Sequence, residues 1–216
     1  MDLITPNMQK EYTVVPLFSS PIFNTDIEPI PDSVKEHLFN LPLERMFVGN
    51  GWYSEDKYVL NDPKVSWLKD QVMQSLQIYV REVLHIRDGI DFYMTNSWLV
   101  KHDKGDWGQS HIHTNCVLSG VLYLQTNEQS GALVFHRDTN HQPIFPNAID
   151  LEMTEWNVFN SKKWYFKPKD NQVFFFPSSV LHSIETNESD LIRYSLAFNF
   201  YPRGKLGEKE FEVELK

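Results

Sequence analysis

A chain of 216 residues is long enough for one sizeable domain and short for two. Hydrophobic residues make up 41% of it and aromatic residues 14%, which is ample for a packed core and excludes wholesale disorder. The formal net charge of −9 argues against a general nucleic-acid binder, because such a protein needs a basic surface to meet phosphates.

Cysteine content and hydropathy indicate the compartment. The single cysteine, Cys116, cannot form an internal disulfide, which fits a reducing environment. The first residues have neither the basic nor the apolar region of a signal peptide, and no run of about 18 apolar residues exists that could span a membrane. We therefore expect a cytoplasmic protein without a membrane segment.

The first part of the chain is predicted to be extended and then helical. Residues 13–31 are broken by four prolines. A short helix is predicted to end near Asn40, with Asp32 or Ser33 positioned to cap its start. The stretch Asn61–His85 carries apolar residues at spacings of three and four, so it is the clearest helix.

From Ile90 onward, short segments rich in β-branched and aromatic residues alternate with turn residues. Helices followed by many strands predict an α+β fold, with the N-terminal helices packed on one sheet. The interval Arg137–Asn171 is long and irregular, and its four large aromatic residues favour an ordered lid over a disordered insert. The predicted strands are Ile90–Lys101, His111–Gln125, Ala132–His136, Val173–Pro177, Leu181–Thr186 and Leu191–Tyr201.

Three histidines in the strand-rich part are candidate metal ligands. His111 and His113 are two apart, a spacing that points both imidazoles to one face of a strand. Alone, this pair is equally well explained as two polar residues at a strand end. His182 follows an apolar strand and a Pro-Ser-Ser turn, where a histidine could merely cap the turn. Together, three imidazoles on a β scaffold favour a site for a divalent ion such as iron.

A charged side chain follows inside an apolar strand. Arg193 stands in the segment Leu191–Phe200, and a buried guanidinium needs an anion because its desolvation is otherwise costly. The planar fork of arginine matches a carboxylate. Ser195 faces the same way and can add a hydroxyl donor. A structural ion pair with one of the many acidic residues is the alternative explanation.

In combination these residues resemble the Fe(II)/2-oxoglutarate-dependent dioxygenase superfamily. Its pattern is His-x-acid, a distant His, then an Arg about ten residues on with a small or hydroxyl residue two further. The strand Leu118–Leu124, the segment Gly131–Phe135 and the Phe-rich strand before His182 are similar to the prolyl-hydroxylase branch. Small bacterial and phage-borne members have a similar Trp, Gly, His-x-His and Leu-Ser-Gly-Val-x-Tyr-Leu order, which corresponds here to Trp98, Gly108, His111, His113 and Leu118–Leu124.

The resemblance covers residues 90–202 well and implies a double-stranded β-helix (jelly-roll, cupin-like) core. It implies one oxygenase domain over residues 1–216, located in the host cytoplasm if the protein is phage-encoded. Its expected parts are an extended segment with supporting helices (1–88), the β-helix core (89–202) with a lid insert (137–171), and a tail (203–216).

The resemblance also implies roles for single residues. His111 and His182 would be the two histidine ligands of Fe(II). Arg193 would bind the distal carboxylate of the co-substrate 2-oxoglutarate, helped by Ser195 or Tyr123. With dioxygen, 2-oxoglutarate would be decarboxylated to succinate while a C–H bond of the primary substrate is hydroxylated.

The sequence departs from the family pattern at His113, where an acidic ligand is expected. His113 can bind the metal and give a three-histidine site, which is the arrangement we favour. Alternatively it turns away and water completes a two-histidine site, or a carboxylate from Asp103 or Asp106 takes its place. A site without a carboxylate leaves Fe(II) more positively charged, so weaker metal retention is a hypothesis to test.

The primary substrate is not determined by the sequence. A peptide side chain such as proline, a small metabolite and a nucleotide all fit, whereas the acidic composition disfavours duplex nucleic acid. Contacts are expected on the lid and on the loop Lys101–Gln109, because binding residues concentrate on loops carried by a rigid scaffold. The candidate side chains, which could equally anchor these loops to the core, are Trp107, Trp156, Trp164 and Tyr165.

Two other functions compete with the oxygenase. A three-histidine cupin would not use 2-oxoglutarate, and the spacing from Gly105 to His111 fits it. However, the glutamate that cupins place shortly after His-x-His is missing, and a cupin has no use for Arg193. A non-catalytic β-sandwich binding module with incidental histidines is the second competitor.

Overall fold

The structure is a computed structural model that describes residues 13–15, 19–46, 50–137 and 151–216. Over these residues two antiparallel sheets face each other, and helices cover the outer face of the larger sheet. This arrangement confirms the predicted α+β class and the double-stranded β-helix core.

The two α-helices are α1 (Asp32–Phe39) and α2 (Ser66–Ile78). The predicted helix over 61–85 is divided, because short 3₁₀ turns at Val59–Asn61 and Pro63–Val65 precede α2 and a π-helical turn at Tyr79–Val83 follows it. The predicted cap of α1 is wrong. Pro31 occupies the cap position without a side-chain hydrogen bond, so the two expected capping residues already lie inside the helix.

Twelve strands make up the two sheets. Eight of them form the large sheet, in the order β1-β9-β6-β11-β4-β3-β2 with β12 beside β11, and β5-β10-β7-β8 form the small sheet. Their bounds are β1 Phe23–Asp26, β2 Leu43–Arg45, β3 Trp52–Ser54, β4 Ile90–His102, β5 Gly108–His111, β6 Leu118–Gln125, β7 Leu133–His136, β8 Lys163–Phe166, β9 Gln172–Pro177, β10 His182–Ile184, β11 Arg193–Leu206 and β12 Val213–Leu215.

The structure corrects one predicted strand that bears on the site. The segment predicted as His111–Gln125 is two strands, since β5 ends at His111 in the small sheet and β6 begins at Leu118 in the large one. The loop between them crosses from one sheet to the other. Asn115 adopts a left-handed conformation there (φ 59°), which asparagine tolerates better than most residues.

Two further segments differ from the prediction. The insert 137–171 is not irregular throughout, because β8 lies within it and pairs with β7, while its residues 138–150 lie outside the described residues. The expected tail from residue 203 is also partly ordered, since β11 continues to Leu206 and the chain returns as β12. In addition, the short strands β1, β2 and β3 were not predicted.

Alternation along the central strands builds two hydrophobic cores. On β6, Leu122 and Leu124 pack towards the helices, whereas Val121 and Tyr123 point between the sheets. In the Phe174–Phe176 run of β9, the middle ring faces the helices and the outer two face the small sheet. Because both faces of these strands are buried, their sequences are continuously apolar rather than alternating.

None of the helices in the described part of the chain is long and apolar enough to cross a membrane.

Gly120 lies in the middle of β6, where a larger side chain has no room. A Cβ added there would lie 2.6 Å from the Phe174 carbonyl oxygen and would overlap the Phe198 ring. We expect Gly120→Ala to lower the free energy of unfolding by about 2 kcal/mol or more, because an extra methyl forces a packed core apart. Urea denaturation of the two proteins measures this difference.

Gly89→Ala is the control for the alanine substitution itself. Nothing lies within 4 Å of its added Cβ, but its φ of +85° gives it a backbone strain of about 1 kcal/mol. A Gly120→Ala protein as stable as the unsubstituted one would contradict the packing described for β6.

Candidate metal centre

The three histidines come from two neighbouring strands and one loop. His111 is the last residue of β5 and lies directly opposite His182, the first residue of β10. His113 lies in the loop beyond β5, where its backbone N–H donates to the Ser178 carbonyl at 3.0 Å. A second bond, from the Ser178 N–H to the Val117 carbonyl, ties the same loop to the turn after β9. The loop, and not the predicted strand periodicity, therefore places His113 beside His111.

The three imidazoles form a compact group. Their ring centroids are 4.3 Å apart for His111 and His182, 5.0 Å for His111 and His113, and 5.1 Å for His113 and His182. One ring nitrogen of each lies within 4.8 Å of the others, and the Nε2 atoms of His113 and His182 are 3.3 Å apart. This spacing allows one ion to contact all three rings.

Backbone carbonyls orient two of the rings. Nδ1 of His111 donates to the Gln109 carbonyl at 2.7 Å, and Nδ1 of His182 donates to the Val180 carbonyl at 2.9 Å. A carbonyl oxygen only accepts, so Nδ1 carries the proton in both rings and Nε2 keeps its lone pair. Such contacts fix the tautomer that a metal requires.

Burial keeps the inner two imidazoles neutral. His182, 4% exposed, has its pKa lowered to about 3 by burial and next by the charge of His111. Burial, followed by His111, lowers the pKa of His113 to about 4. The rings of Phe135 and Phe176 pack against His182 and account for this apolar environment. Neutral imidazoles are the form that binds a metal ion, so no proton has to be displaced at neutral pH.

The carboxylates proposed as substitutes for His113 are engaged elsewhere. Asp103 accepts hydrogen bonds from Lys101 and from the indole of Trp52. Asp106 accepts from the backbone N–H of Asp103 and lies 3.9 Å from Arg45. Among the residues that the structure describes, no carboxylate belongs to the histidine group. Three neutral nitrogen donors suit divalent iron, and they suit zinc, nickel and copper as well.

A second polar centre lies between the sheets at Arg193. This side chain is 0% exposed, and its two terminal nitrogens contact the Tyr123 hydroxyl at 3.1 Å and the carbonyls of Ser130 and Gly131 at 3.3 and 3.4 Å. Its Nε has no hydrogen-bond partner in the described part of the chain. The guanidinium also lies 5.0 Å from the centre of the Tyr123 ring.

The charge of Arg193 is not neutralised by any described residue. No carboxylate oxygen in the described ranges lies within 4.0 Å of it, so the structure gives no support to the structural ion pair considered from the sequence. Burial lowers the pKa of Arg193, yet a guanidinium stays protonated in proteins. A buried cation without a counter-charge is costly, so this centre fits an anionic ligand.

The other two residues predicted for this centre are close by. Tyr123 bonds Arg193 directly, and burial raises the pKa of its hydroxyl, which therefore keeps its proton. Ser195 is buried and lies opposite both Tyr123 and Val100 in the large sheet. It shares the inner face with Arg193, because residues two apart on a strand point the same way.

One predicted aromatic residue lies in line with the histidines. Across the small sheet His111 pairs with His182, His182 with Phe135, and Phe135 with Trp164. Residues directly opposite each other share a face, so this row of four presents its side chains to the space between the sheets. Trp164 is at the edge of the row and is 40% exposed.

The remaining aromatic candidates lie elsewhere. Tyr165 pairs with Val134 and therefore projects from the other face of the small sheet. Trp107 lines a groove of about 610 Å³ together with His136 and Ser183, which alternate with the inward-facing residues. Trp156 is exposed in the loop before β8.

One buried polar residue near Arg193 was not predicted from the sequence. His102 is the last residue of β4 and pairs directly with Arg193 of β11. Its inward direction could have been predicted from the sequence, because His102 is two residues from Val100 and four from Trp98 and therefore shares their face of the strand. Its pairing with Arg193 depends on the register of two strands that are distant in sequence, which spacing does not reveal.

The strand-rich part of the chain is similar to a known protein family. Residues 96–199 match the family model described as "Putative 2OG-Fe(II) oxygenase". This range includes all three histidines, His102 and Arg193. No curated protein matches the chain.

Solved structures share the fold at low sequence identity. An oxidoreductase of the 2OG-Fe(II) oxygenase family from Burkholderia pseudomallei has a TM-score of 0.55 at 13% identity, over 79% of this chain and 76% of that one. HygX from Streptomyces hygroscopicus, solved with nickel, 2-oxoglutarate and hygromycin B, has a TM-score of 0.58 at 9% identity, over 85% of this chain and 83% of that one. The non-heme alpha ketoglutarate dependent epimerase SnoN has a TM-score of 0.59 at 11% identity, over 84% of this chain and 78% of that one. At these identities the similarity shows the fold alone.

The geometry predicts one divalent ion per chain at the histidine group. We expect His182→Ala to weaken Fe(II) binding by at least about 100-fold, because it removes the most buried and best oriented nitrogen. Anaerobic equilibrium dialysis followed by metal analysis measures the stoichiometry and the affinity. His136→Ala is the matched control, since this histidine lies on the same sheet but lines the groove on its other face.

Two changes at His113 distinguish its possible roles in the same assay. His113→Ala weakens Fe(II) binding if the ring is a ligand and leaves it unchanged if water completes the site. His113→Asp restores the acidic ligand of the family pattern and is expected to retain Fe(II) more tightly than the unsubstituted protein. Unchanged binding in His182→Ala would refute the metal centre itself.

Proposed function

We propose that this chain, whose residues 96–199 match the 2OG-Fe(II) oxygenase family model, hydroxylates a C–H bond at a three-histidine iron centre. Its cofactor is Fe(II) and its co-substrates are 2-oxoglutarate and dioxygen. His111, His113 and His182 are the proposed ligands, and Arg193, Tyr123 and Ser195 the proposed contacts of 2-oxoglutarate.

One observation carries the proposal, namely the buried guanidinium without a counter-ion in a core that also holds the histidine group. A metal site alone fits many proteins, including the cupins. A buried guanidinium between the same two sheets additionally requires an anionic ligand. A 2-oxo dicarboxylate satisfies both requirements, because one end can chelate a metal while the other carries a carboxylate for arginine.

The residues of the chain position the reactants and exclude water. The carbonyls of Gln109 and Val180 hold His111 and His182 with Nε2 free, and the loop bond to Ser178 fixes His113. Arg193 and the Tyr123 hydroxyl fix the far carboxylate of the co-substrate. When bound, Fe(II) supplies the activation of dioxygen that couples decarboxylation to hydroxylation.

Three neutral ligands distinguish this centre from two histidines and a carboxylate. His113 lies beside His182, whereas Asp103 and Asp106 accept hydrogen bonds from other residues. This supports direct binding of the metal by His113. Without an anionic ligand the ion keeps its full double charge. Binding of the negatively charged co-substrate therefore contributes more to metal retention here than in a centre that contains a carboxylate.

We propose that the primary substrate binds at the exposed end of the inner row, which consists of His111, His182, Phe135 and Trp164. Trp164 is the proposed contact, because it shares the face of His111 and His182 and keeps much of its ring accessible. A peptide side chain or a small molecule fits this position. Trp107, Trp156 and Tyr165 stay predictions, as does the cytoplasmic location.

The pairing of metal and co-substrate is tested by visible spectroscopy without oxygen. We expect a weak charge-transfer band only after both Fe(II) and 2-oxoglutarate are added. Arg193→Ala is expected to weaken the affinity for 2-oxoglutarate by about 100-fold, because it removes a charge-assisted contact worth about 1.5–3 kcal/mol. Titration of the band with 2-oxoglutarate gives the dissociation constant.

The outcomes separate the three candidate functions. If the unsubstituted protein and Arg193→Ala both bind iron but neither shows the charge-transfer band, the three-histidine cupin is favoured. Absence of iron binding favours the non-catalytic module. Arg45→Ala is a suitable control, since this exposed arginine stacks on Trp52 outside the barrel core.

The substrate position is tested by comparing two adjacent residues on β8. With a compound found by its stimulation of succinate release, Trp164→Ala is expected to reduce the stimulation by about 10-fold, because a stacked aromatic contact is lost. Tyr165→Ala is expected to keep it, since this ring leaves the other face of the sheet. Equal losses in both variants would contradict the inner row as the substrate position.

A further inference from the structure

His102 is a buried histidine beside Arg193, and neither the metal centre nor the hydrophobic core accounts for its polar ring. Its ring is 1% exposed, and it lies directly opposite Arg193 in the pairing of β4 with β11. Side chains in such a pair point to the same face with Cβ atoms about 5 Å apart. Both residues therefore project into the space between the sheets.

Among the residues that the structure describes, neither ring nitrogen of His102 has a hydrogen-bond partner, although both are buried. A neutral imidazole always carries one N–H donor and one acceptor, so at least one donor is left unsatisfied. Nε of Arg193 is unsatisfied as well. Two neighbouring side chains with unused donors, in a core where nearly all buried polar groups are paired, indicate a missing acceptor.

The protein backbone closes one side of the His102 ring. A Cβ added to Gly51 would lie 2.7 Å from Cδ2 and 3.1 Å from Nε2 of this ring, so the absence of a side chain at residue 51 makes room for it. The ring is thus held by packing rather than by polar contacts. Burial, and then the charge of Arg193, lower the pKa of His102 to about 3, which is consistent with a neutral ring near the guanidinium.

We propose that His102 is a further binding residue for 2-oxoglutarate and donates a ring N–H to the same distal carboxylate that Arg193 binds. The inference rests on the proposed function, because the carboxylate is that of the proposed co-substrate. A carboxylate has two oxygens and about four acceptor positions. It can therefore accept from the Arg193 guanidinium, from the Tyr123 hydroxyl and from His102 together.

The first test measures 2-oxoglutarate affinity through the charge-transfer band of the anaerobic Fe(II) protein. We expect His102→Phe, which keeps an aromatic ring of similar size but no donor, to weaken the affinity for 2-oxoglutarate by about 10- to 100-fold. Its Fe(II) affinity by equilibrium dialysis is expected to stay unchanged. His37→Gln is the control histidine, since His37 pairs with Asp62 on the helical side of the large sheet.

Pyruvate separates a contact to the distal carboxylate from a general disturbance of the site. It has the 2-oxo acid group of 2-oxoglutarate but no second carboxylate. If His102 binds the distal carboxylate, His102→Phe loses affinity for 2-oxoglutarate and keeps that for pyruvate. Equal losses for the two acids would overturn the proposal, because they would indicate an effect on the chelating end or on the fold.

A measurement on the unsubstituted protein uses a variant for the assignment of one signal alone. In ¹⁵N-histidine-labelled protein loaded with zinc, the His102 signal is the one that His102→Gln lacks. Addition of 2-oxoglutarate is expected to shift it, and a signal that stays in place overturns the proposal. If 2-oxoglutarate gives no band with the unsubstituted Fe(II) protein, the proposed function fails and this inference with it. A normal band with unchanged affinity in His102→Phe overturns this inference alone.

Discussion

The positive charge of Arg193 is the constraint on which the interior of this protein depends. A guanidinium enclosed between two sheets loses its hydration, and no carboxylate of the described residues replaces it. The groups that contact the guanidinium are neutral acceptors, namely the Tyr123 hydroxyl and two backbone carbonyls at long distances. A buried cation of this kind fits an anionic ligand, and binding of such a ligand would stabilise the folded protein.

Two layers of packing hold this charge in place. The helices and the outer face of the large sheet form one apolar core, and the two sheets enclose a smaller one. Polar residues of the inner face extend from Arg193 and Ser195 on β11 to the histidine group on the small sheet. Because β11 pairs with both β4 and β6, a single long strand sets the positions of His102, Tyr123 and Arg193 relative to one another.

Much of this could be predicted from the sequence, for physical reasons that differ between elements. Strand β9 is apolar and buried on both faces, so it was found almost to the residue, whereas β11 was predicted to end at Tyr201 and its less buried end continues to Leu206. The strands β1, β2 and β3 are only three or four residues long and mostly only partly buried, so they carry no such signal. The three histidines and Arg193 were found as chemical types, but the division between β5 and β6 was not. Pairings such as His102 with Arg193 arise from the register of distant strands, which local spacing does not encode.

The two carbonyl contacts at the histidine group have a consequence for sequence divergence. Every amino acid carries a backbone carbonyl, so the oxygens that orient His111 and His182 do not depend on the side chains at residues 109 and 180. Substitutions at residue 109, whose side chain is exposed, are expected to leave the direction of the His111 ring unchanged, whereas Val180 also packs against the core between the sheets. Selection at this centre is thus expected to act on the three histidines, on the path of the chain around them and on the packing of Val180.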